Sequence, residues 1–427
     1  LYVYDDMITI GMTIDEVFAA LGEPDEIVEN VEPAYVPGVF YKDESGQKGS
    51  HYYQPAGYPL RLFFMGNRVQ SLYLTRSDYA DAIETGKKET TTAVSEVNPY
   101  DDIRRLDISG VDFTGQDDLI KTLWFSQDTE WPASALALTD GNPERVLEAT
   151  MNPGLGVRAL HDRGITGEGI RVAIIDQPTY TDHPEFAGKI VAYRDFDSGQ
   201  KESMHGPAVA SLLVGENTGT APGAGLYFAA APSWFGDAGY YADALDWIVE
   251  ENNKLPEGDK IRVVSVSAAP SGPGSPFTKN NEMWDEAVAR AEQDGILVLD
   301  CTSHHGFINS CYYDLDDPDD ISKCRAGYPG MDRTFPAGEN EIFAPTSPRT
   351  SAQEEVEGIY GYQYTGRGGL SWAIPYCAGV LAMGWQVRPE LSGEEMKAIL
   401  LDTAYDRDGY KFIDPAAFIA AVEKYGE

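Results

Sequence analysis

Three polar residues stand in apolar surroundings along this chain, and together their types fit one chemistry. Asp176 closes the apolar run VAIID, His205 opens HGPAVASLLVG, and Ser371 opens SWAIPYCAGVLAMGWQV. A lone serine hydroxyl is a poor nucleophile. A histidine that takes its proton, held in one tautomer by a buried carboxylate, makes it a good one. Each residue also has a plainer role open to it: Ser371 as a helix cap, His205 as a cap or core histidine, Asp176 as a turn former. Their joint occurrence at segment edges, in the order Asp, His, Ser, favours the chemical reading. A helix opening adds free backbone N–H groups and the positive end of the helix dipole beside a developing oxyanion. Gly368 and Gly369 let a substrate backbone come close.

Elements must bring these residues to a common edge. From about residue 151, short apolar runs alternate with helical periods. The runs at 172–176, 225–231, 262–269 and 295–300 read as strands buried on both faces, while HGPAVASLLVG, DAGYYADALDWIVEENN and NNEMWDEAVARAEQD carry three-and-four apolar spacing. The alternation predicts an α/β fold, a parallel sheet with helices on both faces, in residues 151–427. Working residues in such a sheet collect where strands end and helices begin.

Residues 1–85 predict a small α+β domain that precedes it. Thr13 with Glu16 reads as a capping box, Gly22 and Pro24 end the helix, and HYYQPAGYPLRLFFMGNRVQSLYLT alternates about a Gly-Asn turn as a hairpin does, so a helix on a small antiparallel sheet is expected. Residues 86–150 read as a linker and extension, in which Trp124 and Trp131 predict packing on the following domain.

In three blocks the sequence resembles the subtilisin-like serine peptidases. VAIIDQPTYTDHPEF looks like the family's Asp motif with its His-Pro dipeptide, here His183 and Pro184; HGPAVASLLVGENTGTAPGAGLYF looks like its His motif; and GGLSWAIPYCAG resembles its Ser motif. The segment LSGEEMKAILLDTA also fits the helix that follows that motif. The resemblance covers residues from about 151 to the end and implies a subtilisin-like fold. It implies a serine endopeptidase acting on protein or peptide substrates through an acyl-enzyme, with Asp176 as orienting acid, His205 as general base and Ser371 as nucleophile.

The departures from the family pattern are specific. Pro207 and Ala208 stand where the family has Thr-His, Leu370 replaces a Thr and Trp372 a Met. The oxyanion Asn is missing from GILVLDCTSHHG, where His304 takes its position and Ser303 is the other candidate donor. Loss of one such donor typically costs on the order of 100–1000-fold in turnover. The alternative is therefore a catalytically weak or inactive relative that binds peptides or a partner protein in the same groove. A serine esterase of the α/β-hydrolase type is disfavoured, because Ala373 stands where the nucleophile elbow needs Gly. The resemblance further implies a substrate wall at Ser267, Ala268 and Ala269, and an opposite strand with Trp234 at its rim; surface packing is the plainer role for the aromatics.

Composition limits the partners. Against 32 Lys and Arg stand 69 Asp and Glu, a formal charge of −37, which disfavours nucleic acid as a partner. The longest apolar run, Ser371 to about Trp385, is too short to span a bilayer. No cofactor is required by the expected chemistry. Asp314, Asp316 and Asp317 offer the hard oxygens that calcium takes, against the plainer reading of a solvated charged loop. Cys311 and Cys324 bracket that loop, so a disulfide clasping it is one reading, whereas a nucleophilic Cys301 or Cys377 is not expected. The segment GMTIDEVFAALGEPD resembles the helix of the SmpA/OmlA lipoprotein and β-lactamase-inhibitor-protein group. That resemblance implies a secreted or cell-surface bacterial protein, and no basic and apolar signal segment opens the sequence. The oligomeric state is left open.

Overall fold

The computed structural model describes residues 12–29, 39–42, 50–53, 60–65, 68–74, 92–104, 106–199, 203–302, 305–331, 338, 340–356 and 359–426. Two compact units divide it, Leu1–Val146 with Gly330–Arg333, and Leu147–Pro329 with Thr334–Glu427.

In the first unit the expected capping box starts α1 (Ile14–Leu21): Glu16 N–H donates to Thr13 Oγ1 at 3.2 Å, and Thr13 N–H donates to Glu16 Oε2 at 2.7 Å. Five strands follow in the order β1 (Glu26–Glu29), β2 (Val39–Lys42), β3 (Ser50–Tyr53), β4 (Leu60–Met65) and β5 (Arg68–Leu74). The expected hairpin is β4–β5, with Met65 opposite Arg68; its Gly-Asn turn lies outside the described residues. One expectation is corrected: β1 pairs parallel with β2 and only the other pairs are antiparallel. Apolar alternation says which face a residue takes and nothing about strand direction. Trp124 and Trp131 find partners inside this unit, Trp124 beneath the Arg104 guanidinium at 3.8 Å and Trp131 edge-on to Phe113 and Phe125.

The second unit is built on a parallel sheet in the order β7 (Ile190–Asp195), β8 (Gly225–Ala230), β6 (Arg171–Asp176), β9 (Ile261–Val266), β10 (Leu297–Leu299). Strand alternation divides its side chains between two cores. Val172 and Ile174 of β6 join Leu226 and Phe228 of β8 on one face, where α2 (His205–Val214) and α5 (Leu370–Val387) pack. Ala173 and Ile175 join Tyr227 and Ala229 on the other, under α3 (Gly239–Lys254) and α4 (Asn281–Gln293). Each fully buried large aliphatic side chain contributes ~1.5–3 kcal/mol, and so a sheet covered on both faces must be apolar throughout. The α/β class expected of residues 151–427 is what this sheet and its helices form.

Beyond the parallel sheet lie elements without a clear sequence period. A second sheet runs β12 (Arg325–Ala326), β11 (Ile308–Tyr312), β13 (Ile342–Ser347), β17 (Tyr410–Phe412), β16 (Tyr405–Arg407), and β14 (Arg349–Val356) with β15 (Ile359–Thr365) forms an antiparallel pair. After α5, the expected following helix is α6 (Gly393–Asp402), capped by Ser392 and Glu395. Among the described residues no helix is long and apolar enough to cross a membrane.

Candidate active site

Asp176 is the last residue of β6, and His205 is the first of α2. Asp176 is buried, and its Oδ1 lies 2.6 Å from His205 Nδ1 while also accepting the Gln177 N–H at 2.8 Å. Two acceptor bonds on one buried oxygen fix the carboxylate, and it in turn fixes the imidazole with Nδ1 toward it. The glycine after the histidine makes the approach feasible. A Cβ at Gly206 would sit 2.2 Å from the Gln177 carbonyl oxygen and 2.4 Å from that of Pro178, so no larger residue lets α2 begin against the loop that follows β6.

Ser371 stands in the first turn of α5, and the same requirement recurs there: a Cβ at Gly368 would lie 2.1 Å from the Thr346 carbonyl oxygen. Trp372 meets the His205 ring edge to face, centroids 5.3 Å apart, which sets the openings of α2 and α5 side by side. The Trp372 indole nitrogen is buried without a hydrogen-bond partner.

Pro375 lies inside α5, four residues after Ser371. Lacking an N–H, it leaves the Ser371 carbonyl without its helical donor. Ser267, just beyond β9, supplies one: its Oγ donates to the Ser371 carbonyl at 2.7 Å, and Ser371 Oγ donates back to the Ser267 carbonyl at 3.2 Å. In this state the serine hydroxyl is thus engaged with Ser267 rather than with His205. The spacing Ser-x-x-x-Pro was the signal in the sequence for such an outside donor.

The other candidates fall variously. Ala268 and Ala269 follow Ser267 directly, their carbonyls accepting the Cys301 N–H at 2.9 Å and Ser275 Oγ–H at 2.6 Å. Trp234 lies in a short turn, Ser233–Phe235, after β8, and Ser233 ties that turn to Gln177 at 2.9 Å; beside Trp234, Phe235 is exposed. Ser303 and His304 lie outside the described residues. Flanking them, Thr302 is anchored to Asp300, and Gly306 N–H closes on the Thr302 carbonyl at 2.9 Å.

Asp314, Asp316 and Asp317 do not converge. Asp314 accepts the Asp316 N–H at 2.9 Å, Asp317 pairs with Lys323 at 2.9 Å, and among the described residues no three carboxylate, histidine or cysteine groups gather as a metal site would require. A local turn takes up Asp314 and an ion pair takes up Asp317. Nor is the loop closed by a disulfide. Cys311 and Cys324 are buried free thiols, and burial, then the hydrogen bond between them, pushes the Cys311 thiol up. Burial likewise raises Cys301 and Cys377, so both stay neutral and unsuited to attack.

His183 and Glu185, which follow the Asp motif, serve as structure. His183 Nε2 reaches the Gln353 and Gly361 carbonyls at 3.2 Å, and burial holds its pKa down. Glu185 is raised by burial but lowered further by hydrogen bonds from Tyr362, Asn217 and Thr218, with a net downward shift.

The subtilase family model matches residues 167–310, which bears out the resemblance on its Asp and His blocks. The subtilisin-like protease PopC of Myxococcus xanthus is 22% identical over 296 residues, covering 58% of this chain and 58% of its own length. The serine protease AprX of Bacillus subtilis is 26% identical over 292 residues, covering 59% of this chain and 64% of its own. The chain therefore spans less than two thirds of either relative. Among solved structures, the prenylagaramide maturation protease PagA aligns over 62% of this chain and 98% of its own, with 18% identity and a TM-score of 0.46.

Proposed function

We propose that the second unit is a serine endopeptidase that cleaves peptide bonds through Asp176, His205 and Ser371. The observation that carries this reading is the 2.6 Å bond from a buried Asp176 to His205, with the opening of α5 against the same imidazole. In the reaction, Ser371 Oγ turns from the Ser267 carbonyl to His205 Nε2, which takes its proton as Oγ bonds to the substrate carbonyl carbon. The oxyanion is held by the Ser371 backbone N–H at the α5 opening, with Ser303 or His304 as second donor. His205 returns the proton to the departing amine, and the acyl-enzyme is hydrolysed by the reverse sequence with water. Asp176 keeps Nδ1–H in place throughout and stabilises the imidazolium.

The substrate we infer is an extended peptide along Ser267, Ala268 and Ala269, with Trp234 on the facing side, bound by backbone pairing. The proposed reaction calls on no cofactor. A secreted or cell-surface setting suits the acidic surface and the habit of the family.

Digestion of dye-labelled casein tests the reading. Wild-type protein should release dye and Ser371→Ala should not. The serine's engagement with Ser267 favours one rival, a groove that binds peptides without cutting. Casein left intact but captured equally by both proteins would establish that rival and overturn the peptidase.

A further inference from the structure

A second histidine sits between carboxylates that the proposed reaction does not use. His305 Nδ1 lies 3.2 Å from Asp300 Oδ2, and its Nε2 lies 3.4 Å from Asp285 Oδ1. Asp300, just after β10, is wholly buried and heavily committed: Oδ2 accepts the Trp284 indole N–H at 2.9 Å, and Oδ1 accepts the Thr302 N–H at 2.9 Å and its hydroxyl at 2.6 Å. Asp285, on α4, accepts the Ser271 hydroxyl at 2.6 Å. A carboxylate oxygen can only accept, and a neutral imidazole has only one N–H. Nδ1–H donates to Asp300, and a proton on Nε2 adds an ion pair with Asp285, so both carboxylates favour the imidazolium.

Among the described residues, the charges that bear on it are acidic: Asp300 from the strand end, Asp285 and Glu292 from α4. The hydrogen bond to Asp300 raises the His305 pKa first, burial opposes it, and the charges of Asp300, Asp285 and Glu292 add to the rise. The turn also bears on Ser371. Cys301 N–H donates to the Ala268 carbonyl at 2.9 Å, and the neighbouring Ser267 exchanges hydrogen bonds with Ser371.

We propose that His305 is a positioning residue: as an imidazolium it straps the turn holding Thr302, His305 and Gly306 to α4 and, through Ser271, to the 267–271 wall of the cleft, and it releases that wall when deprotonated. The kinetic consequence rests on the peptidase reading. The strap does not. A histidine whose folded pKa is raised contributes its tie fully below the ordinary value of about 6.5 and loses it as pH rises through the folded value.

Hydrogen exchange at the His305 and Gly306 amides, read by NMR from pH 6 to 9 and corrected for intrinsic rates, tests the proposal on the full chain. These amides donate to Thr302, at 3.1 and 2.9 Å. Wild-type protection should step down as pH rises, His305→Gln should show lower protection and no step, and Asp285→Asn should move the step to lower pH. Peptide kcat/KM should fall about threefold across the same step, the size expected of a part-exposed ion pair. Flat wild-type protection, or an unchanged step in His305→Gln, would overturn the strap. If no variant cuts peptide, the exchange data alone decide, and loss of the peptidase reading is seen separately.

Discussion

Two histidines in this chain lean on buried aspartates at the carboxyl ends of parallel strands, and their side chains are almost equally exposed, 18% for His205 and 17% for His305. Their partners differ. Asp176 binds His205 through one short contact at 2.6 Å, and among the described residues no hydrogen bond holds Nε2. Asp300 is shared among Trp284, Thr302 and His305, and the far nitrogen of His305 is met by a further carboxylate, Asp285. A ring held on one side can pass a proton, whereas a ring held on both sides can only tie elements together. Burial and strand position are common to the two pairs, so the second nitrogen's partner is what separates the proposed base from the proposed strap.

That distinction can be broken by substitution. His205→Ala should lower casein hydrolysis on the order of 10⁶-fold while leaving the urea midpoint close to wild type, measured on the same preparation. With Asp176→Asn the imidazole loses its preferred tautomer, and turnover should fall on the order of 10⁴-fold, again with little change in stability. Asp300→Ala should behave in the opposite way: it strands the Trp284 and Thr302 donors and leaves His305 without its buried partner, at a cost of ~3 kcal/mol in urea unfolding. Equal stability losses in Asp176→Asn and Asp300→Ala would erase the contrast. The smallest effect is expected of Ser267→Ala, which leaves the Ser371 carbonyl unpaired beside Pro375; turnover should fall about tenfold, the rate equivalent of ~1.4 kcal/mol.

The parallel sheet was legible in the sequence because burial on both faces forces continuous apolar runs, and β6, β8, β9 and β10 lie where those runs stand. The strand β7 was not, since its apolar stretch at 190–193 is short, passes straight into Arg194 and Asp195, and its residues are half-buried or exposed. The β14–β15 pair also escaped: Ser351 and Gln363, opposite each other, are polar and buried, an inversion of the pattern on which strand reading depends.

At the site, Asp176, His205 and Ser371 could be picked out because each interrupts apolar sequence at an element's edge. The Ser267 donor was legible in part, as a neighbour of the cleft, but its bond to the Ser371 carbonyl is a tertiary consequence of Pro375. His305 was hidden for a different reason. Its three acidic neighbours come from α4 and the end of β10, so that only the fold assembles them. The aspartates of 314–317, by contrast, looked like ligands because they are close in sequence, and the fold sets Asp314 in a turn and Asp317 in an ion pair.

A fluorophosphonate probe reports whether Ser371 turns nucleophilic on leaving Ser267 for His205. A single adduct is expected, mapped by mass spectrometry to Ser371, absent in Ser371→Ala and reduced by orders of magnitude in His205→Ala. A folded wild-type protein that takes no label, or takes it equally after His205 is removed, would contradict it.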